Sequence, residues 1–142
     1  FKTRELLRKY FVSVRECLTD DGVFLTELYG GTEAIVALEE ERKCKGFVYV
    51  WEQAKYNPIT HETLCYIHYR FKDGSKLERA FTYDWRLWTI PELRELLEEA
   101  GFSKVEVWWE NVDEAGEGNG EYTPTESEEN QESWLVYVVA QR

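Results

Sequence analysis

Two short stretches concentrate the residue types that bind ligands. Tyr29-Gly30-Gly31 closes an apolar run that reads as a strand. Glycines at the carboxyl end of a strand let a ligand or another backbone come close, and that end is where ligands sit in open α/β sheets. The same pair also suits a plain turn into the next element, and both readings stand. The second stretch is the corner Tyr83-Asp84-Trp85-Arg86, continued by Leu87 and Trp88. A carboxylate and a guanidinium among apolar neighbours either form a structural clamp or hold a polar ligand. Together with Trp51, Tyr66 and Trp88, the rings of Tyr29, Tyr83 and Trp85 are candidates for walls of a pocket for a planar or cationic group. Aromatics on alternate strand positions equally make plain core.

Other chemistry has little support. His61 and His68 are the two histidines, and neither belongs to an HxH or HExxH spacing, so no metal site is expected. His68 is conceivable as a general base, although a structural or exposed histidine is the plainer reading. No GxSxG or P-loop motif occurs. Gly116-Glu117-Gly118-Asn119-Gly120 matches GxGxG, but acidic loop sequence precedes it and Glu121-Tyr122-Thr123-Pro124 follows. A nucleotide loop needs a strand before it and a helix after it, so this match is set aside. Cys17, Cys44 and Cys65 are odd in number and lack CxxC spacing. They read as reduced thiols of an intracellular protein, in the cytoplasm or an organellar matrix. No catalytic acid, base or nucleophile stands out.

The elements that must position these residues follow from periodicity. Lys2 to Leu18 predicts an amphipathic helix with Leu7, Tyr10, Phe11, Val14 and Leu18 as its stripe and Thr3 as a cap. Val23 to Leu28 predicts a strand buried on both faces, as in a parallel sheet. Thr32 to Lys43 reads as a second helix, acidic and then basic toward its end, stopped by Gly46. The period then changes to two. Phe47–Gln53, Thr63–Phe71 and Leu77–Trp85 predict a three-stranded meander, with turns at Asn57-Pro58 and Lys72-Asp73-Gly74-Ser75. Thr89 and Glu92 form a capping box with Pro91 in the first turn, and Leu93, Leu96, Leu97 and Ala100 fall on one face of the helix. Gly101 suits the left-handed position after that helix, and Phe102 can fold back on it. Strands follow at Val105–Glu110 and Trp134–Ala140, separated by an acidic loop over about 111–132. The fold class is α/β with an inserted antiparallel meander over about 46–86, within one domain of 142 residues.

Charge is unevenly placed. The net charge is −11, and the segment from Val105 to Gln141 holds ten acids with no Lys or Arg. Direct nucleic-acid binding through this segment is therefore not expected, and the open readings are attraction for a basic partner or a solvated loop. No apolar run spans a bilayer. Phe1 stands where a methionine would begin a chain, which suggests a processed product, a fragment, or part of a longer protein.

Three segments carry a family resemblance: Asp21–Leu25 (DGVFL), Thr82–Thr89 (TYDWRLWT) and Glu92–Phe102 (ELRELLEEAGF), the last running into Ser103–Val107. Together with the order of elements they resemble the C-terminal half of the class I S-adenosylmethionine-dependent methyltransferases. The resemblance implies the last three strands of a Rossmann-like sheet, with Trp134–Ala140 antiparallel and inserted between the other two. It implies S-adenosylmethionine as cofactor and methyl transfer to an unidentified acceptor. The family's glycine-rich loop after its first strand and the acidic residue after its second have no counterpart here. The implied role is therefore the substrate-recognition half, with Tyr29, Gly30, Gly31 and the meander on the substrate side and the cofactor not bound tightly. The implied partner is the missing N-terminal half or another protein paired to the exposed sheet edge. The alternative is a non-catalytic methyltransferase-like subunit of a larger assembly.

Overall fold

The computed structural model describes residues 1–142 except Ala115 and Glu117. The chain divides into two compact units, one formed by Phe1–Ala34 with Trp88–Arg142 and the other by Ile35–Leu87. None of the helices among the described residues is long and apolar enough to cross a membrane.

In the first unit, helix α1 (Arg4–Cys17) begins at Thr3, whose hydroxyl accepts the Leu6 N–H at 3.3 Å. Helix α2 (Ile90–Glu99) begins with the expected capping box: the Thr89 hydroxyl accepts the Glu92 N–H, and the Glu92 carboxylate accepts the Thr89 N–H at 3.0 Å. It ends with Gly101 at φ 95°, the Gly101 N–H donating to the Glu98 carbonyl and the Phe102 N–H to the Leu97 carbonyl. Those paired bonds are the Schellman closure. Replacing Thr89 by Ala removes both bonds of its hydroxyl, the one accepted from the Glu92 N–H and the one donated to the Glu92 carboxylate, and the expected loss is about 1 kcal/mol of unfolding free energy. Denaturant titration checks this, and a change below a few tenths would show the cap to be dispensable.

The first unit's sheet contains β1 (Val23–Gly30), β8 (Trp134–Gln141), β6 (Lys104–Val112) and β7 (Gly118–Thr125), in that order across the sheet. As expected, the last strand lies between the other two and runs antiparallel to both, so β1 and β6 point the same way without touching. Both helices lie on one face. Leu7 and Phe11 of α1 meet Leu93, Leu96 and Leu97 of α2 over Val105, Val138 and Ala140, with Trp88 and Phe102 at the margin.

Two expectations fail here. β1 is not buried on both faces: Val23 is 51% and Leu25 55% exposed, while Phe24 packs on Phe11 and Phe102. Its neighbour is antiparallel, and helices cover only one side, so alternate residues remain outside. The acidic loop over 111–132 is not all loop, because β7 pairs with β6 from Val107↔Thr125 to Val112↔Gly118. As an edge strand it accommodates Pro124.

The second unit is a four-stranded antiparallel sheet of β2 (Leu38–Lys43), β3 (Phe47–Tyr56), β4 (Glu62–Phe71) and β5 (Lys76–Arg86), in sequence order. The meander thus gains a strand, and the helix expected over 32–43 is absent. A 3-10 turn at Thr32–Ile35 leads instead to edge strand β2. Its glutamates are held by alternation rather than by helical spacing. Glu39 and Glu41 point to the face on which Arg70 reaches both, at 3.4 Å to Glu39, while Glu40 falls on the other face.

Candidate functional site

The candidate residues fall in both units: Tyr29, Gly30, Gly31 and Trp88 in the first, and Trp51, Tyr66, Tyr83, Asp84, Trp85 and Arg86 in the second. Trp51, Tyr83 and Trp85 share a face of the second unit's sheet, with centroids 5.7 Å apart for Trp51 and Tyr83 and 4.9 Å for the stacked Tyr83 and Trp85. The register explains this: Trp51 lies opposite Ile67, and Cys65 opposite Tyr83, so all project the same way. Phe47, Tyr49 and Tyr69 extend the same aromatic face. Asp84 falls on the opposite side of β5 and is exposed, and Arg86 is half-buried at its end.

Tyr66 stands on the opposite face. Its ring receives the Arg79 guanidinium at 4.5 Å and lies 6.1 Å from the His68 ring. His68 is buried, with Nε2 2.8 Å from Glu52 on β3 and Nδ1 2.6 Å from Glu78 on β5. The imidazole therefore ties three strands together at the bulge where the β4–β5 register shifts. His61 occupies a tight turn at φ 56° with its N–H bonded to the Asn57 carbonyl. Trp88 belongs to the first unit's core, its indole N–H donating to the Phe1 carbonyl at 3.2 Å.

Burial pushes the Cys65 thiol up, against hydrogen bonds from Thr63 and Trp85 that pull it down. Cys17 is exposed. Thiolate is the reactive form, so iodoacetamide at mildly alkaline pH should label Cys17 promptly and leave Cys65 untouched until the protein unfolds. Mass spectrometry of timed samples checks this, and early labelling of Cys65 would contradict its burial.

Tyr29-Gly30-Gly31 lies at the carboxyl end of β1, and the protein's own chain fills the space beside both glycines. A Cβ on Gly30 would sit 2.3 Å from the Trp134 ring, and one on Gly31 2.3 Å from the Glu132 carbonyl oxygen. The close approach expected there is made by backbone and indole. Tyr29 itself lines a cavity of about 450 Å³ with Trp109, Glu110, Val112, Trp134 and Leu135. Trp109 and Trp134 are absent from the sequence-based candidates. The signal available was a tryptophan in the later part of one strand and another at the start of the last strand, but pairing Trp109 with Trp134 needed the β6–β8 register.

The Gly116–Gly120 match runs into β7, with no helix after it, and Glu117 within it lies outside the described residues. Among the described residues no group of three His, Cys, Asp or Glu side chains is placed to hold a metal ion.

The fold has solved counterparts. No family model matches the sequence, and no curated protein matches it. An S-adenosylmethionine-dependent methyltransferase from Clostridium acetobutylicum superposes with TM-score 0.62 at 14% identity, covering 98% of this chain and 52% of that one. The CcbJ methyltransferase from Streptomyces caelestis superposes with TM-score 0.65 at 14% identity, covering 99% and 54%. The chain thus has a methyltransferase-like α/β fold and spans about half the length of these structures.

Proposed function

We propose that this chain is the substrate-recognition half of an S-adenosylmethionine-dependent methyltransferase, its strands β1, β8 and β6 being the last three of a Rossmann-like sheet. The observation that carries the reading is the reversed strand β8 set between two like-directed strands, in a chain that matches half of two methyltransferases along nearly its whole length. In this reading the described residues orient the acceptor and exclude water from it, while the cofactor is held by sequence outside residues 1–142.

The residues present do not fit the cofactor by themselves. The glycine edge after β1 is filled by Trp134 and Glu132, and among the described residues no other glycine loop joins a strand to a helix start. Titrating residues 1–142 with S-adenosylmethionine is expected to give no saturable heat. Tight binding would overturn the half-site reading.

A second reading is a non-catalytic subunit of a larger assembly. It is favoured by the outer edge of β1, which no described strand pairs, and where Val23 and Leu25 are exposed. Such an edge is a template for a strand from another chain. Intact mass of the isolated protein under denaturing conditions separates the two: a mass well above 16.9 kDa favours the enzyme, and 16.9 kDa favours the subunit.

A further inference from the structure

We propose that the cavity at the carboxyl ends of β1 and β6 binds a small organic ammonium group. The cavity of about 450 Å³ has the size of a metabolite site. Three aromatic residues line it. The Trp109 and Trp134 rings are 5.5 Å apart and tilted by 43°, a splayed pair rather than a closed stack, and Tyr29 is the third. Ring faces attract alkylammonium cations, whose diffuse charge is cheap to desolvate.

The charge of the lining selects the same ligand. Glu110 lines the cavity, and no described lining residue is Lys or Arg. Its carboxylate is fixed by the Gly120 N–H at 2.8 Å. Gly118 makes room for it, since a Cβ there would lie 2.6 Å from the Glu110 carboxyl carbon. The fixed charge is felt by its neighbour: the Tyr122 phenol is pushed up, first by desolvation and next by Glu110. An anionic or phosphorylated ligand would meet this carboxylate and an acidic stretch without a compensating cation. A metal ion lacks ligands among the described residues. An organic cation is the ligand class that the rings and the carboxylate of this lining each attract.

The proposal rests on the methyltransferase reading only in taking the molecule that carries this group for the acceptor, methylated at an atom other than the ammonium nitrogen, which has no lone pair. The binding itself is independent of the cofactor. The test is calorimetric titration of the protein, without S-adenosylmethionine, with choline and with its uncharged carbon isostere 3,3-dimethylbutan-1-ol. Choline is expected to bind saturably and the alcohol at least about tenfold more weakly. Glu110→Gln and Trp109→Ala should each weaken choline by about fivefold or more, with Trp109→Phe recovering most of the loss. Glu110→Gln keeps the side-chain shape and so stays informative if Trp109→Ala fails to fold. Equal binding of the two probes, no binding of choline, or full affinity in Glu110→Gln would overturn the proposal. Those outcomes leave the cofactor titration and the intact mass unaffected, so each reading can fail separately.

Discussion

Leu96→Ala is expected to cost about 2–5 kcal/mol of unfolding free energy, a large share of what a domain of this size possesses. Leu96 is fully buried on α2, in the core cluster that also holds Leu93, Leu97, Phe11, Val138 and Ala140. Its loss removes the apolar contacts and leaves a hole that two helices and a sheet cannot collapse around. Leu6 on α1 is the control. It is 52% exposed, and its replacement by Ala should change stability by less than about 0.5 kcal/mol. Urea unfolding of both variants decides the matter. A Leu96→Ala loss below about 1 kcal/mol would mean that the helices do not close on the sheet as described.

Gly31→Ala is the second large effect. Gly31 has φ 114°, a region that costs an alanine about 1–3 kcal/mol. The added Cβ would also lie 2.3 Å from the Glu132 oxygen, and backbone cannot swing aside as a side-chain tip can. Two amides report on the same junction: Thr32 donates to the Gln131 carbonyl at 3.1 Å and Glu33 to the Glu132 carbonyl at 2.9 Å. The variant should melt lower, and both amides should exchange with deuterium faster. A ligand-contact role for this glycine would leave the exchange of both amides unchanged. Parent-like values in both measurements would exclude the junction drawn here.

Local signals predicted the elements they govern. The Thr89–Glu92 box, the Gly101 closure and the Leu7–Phe11 stripe are written within one turn of helix, so they read directly from the sequence. The alternating strands of the meander read equally well. What failed depends on distant partners. Leu38–Lys43 is helix-forming in composition, yet it becomes a strand because β3 offers an edge and Arg70 two strands away gathers its glutamates. Tertiary pairing overrides such weak preferences. β7 has glycines and a proline and is a strand only because β6 extends to Val112 beside it. The candidate site divides in the same way. The rings of Trp51, Tyr83 and Trp85 follow from alternation, but the glutamates on either side of His68 and the Trp109–Trp134 pair follow only from register.

The position of β8 bears on biosynthesis. β1 emerges from the ribosome more than a hundred residues before the strand that is its hydrogen-bonded neighbour, and β6 also waits for it. At about 5–20 residues per second, β1 stays unpartnered within the described chain for several seconds. The Ile35–Leu87 sheet has no such delay, since each strand there pairs with the one before it. Vectorial synthesis therefore sets an order, with the meander complete while Val23 to Gly30 is still an open apolar strand. A holdase chaperone acting on this nascent chain would find its binding segment at β1, and would have to release it as Trp134 to Gln141 arrives.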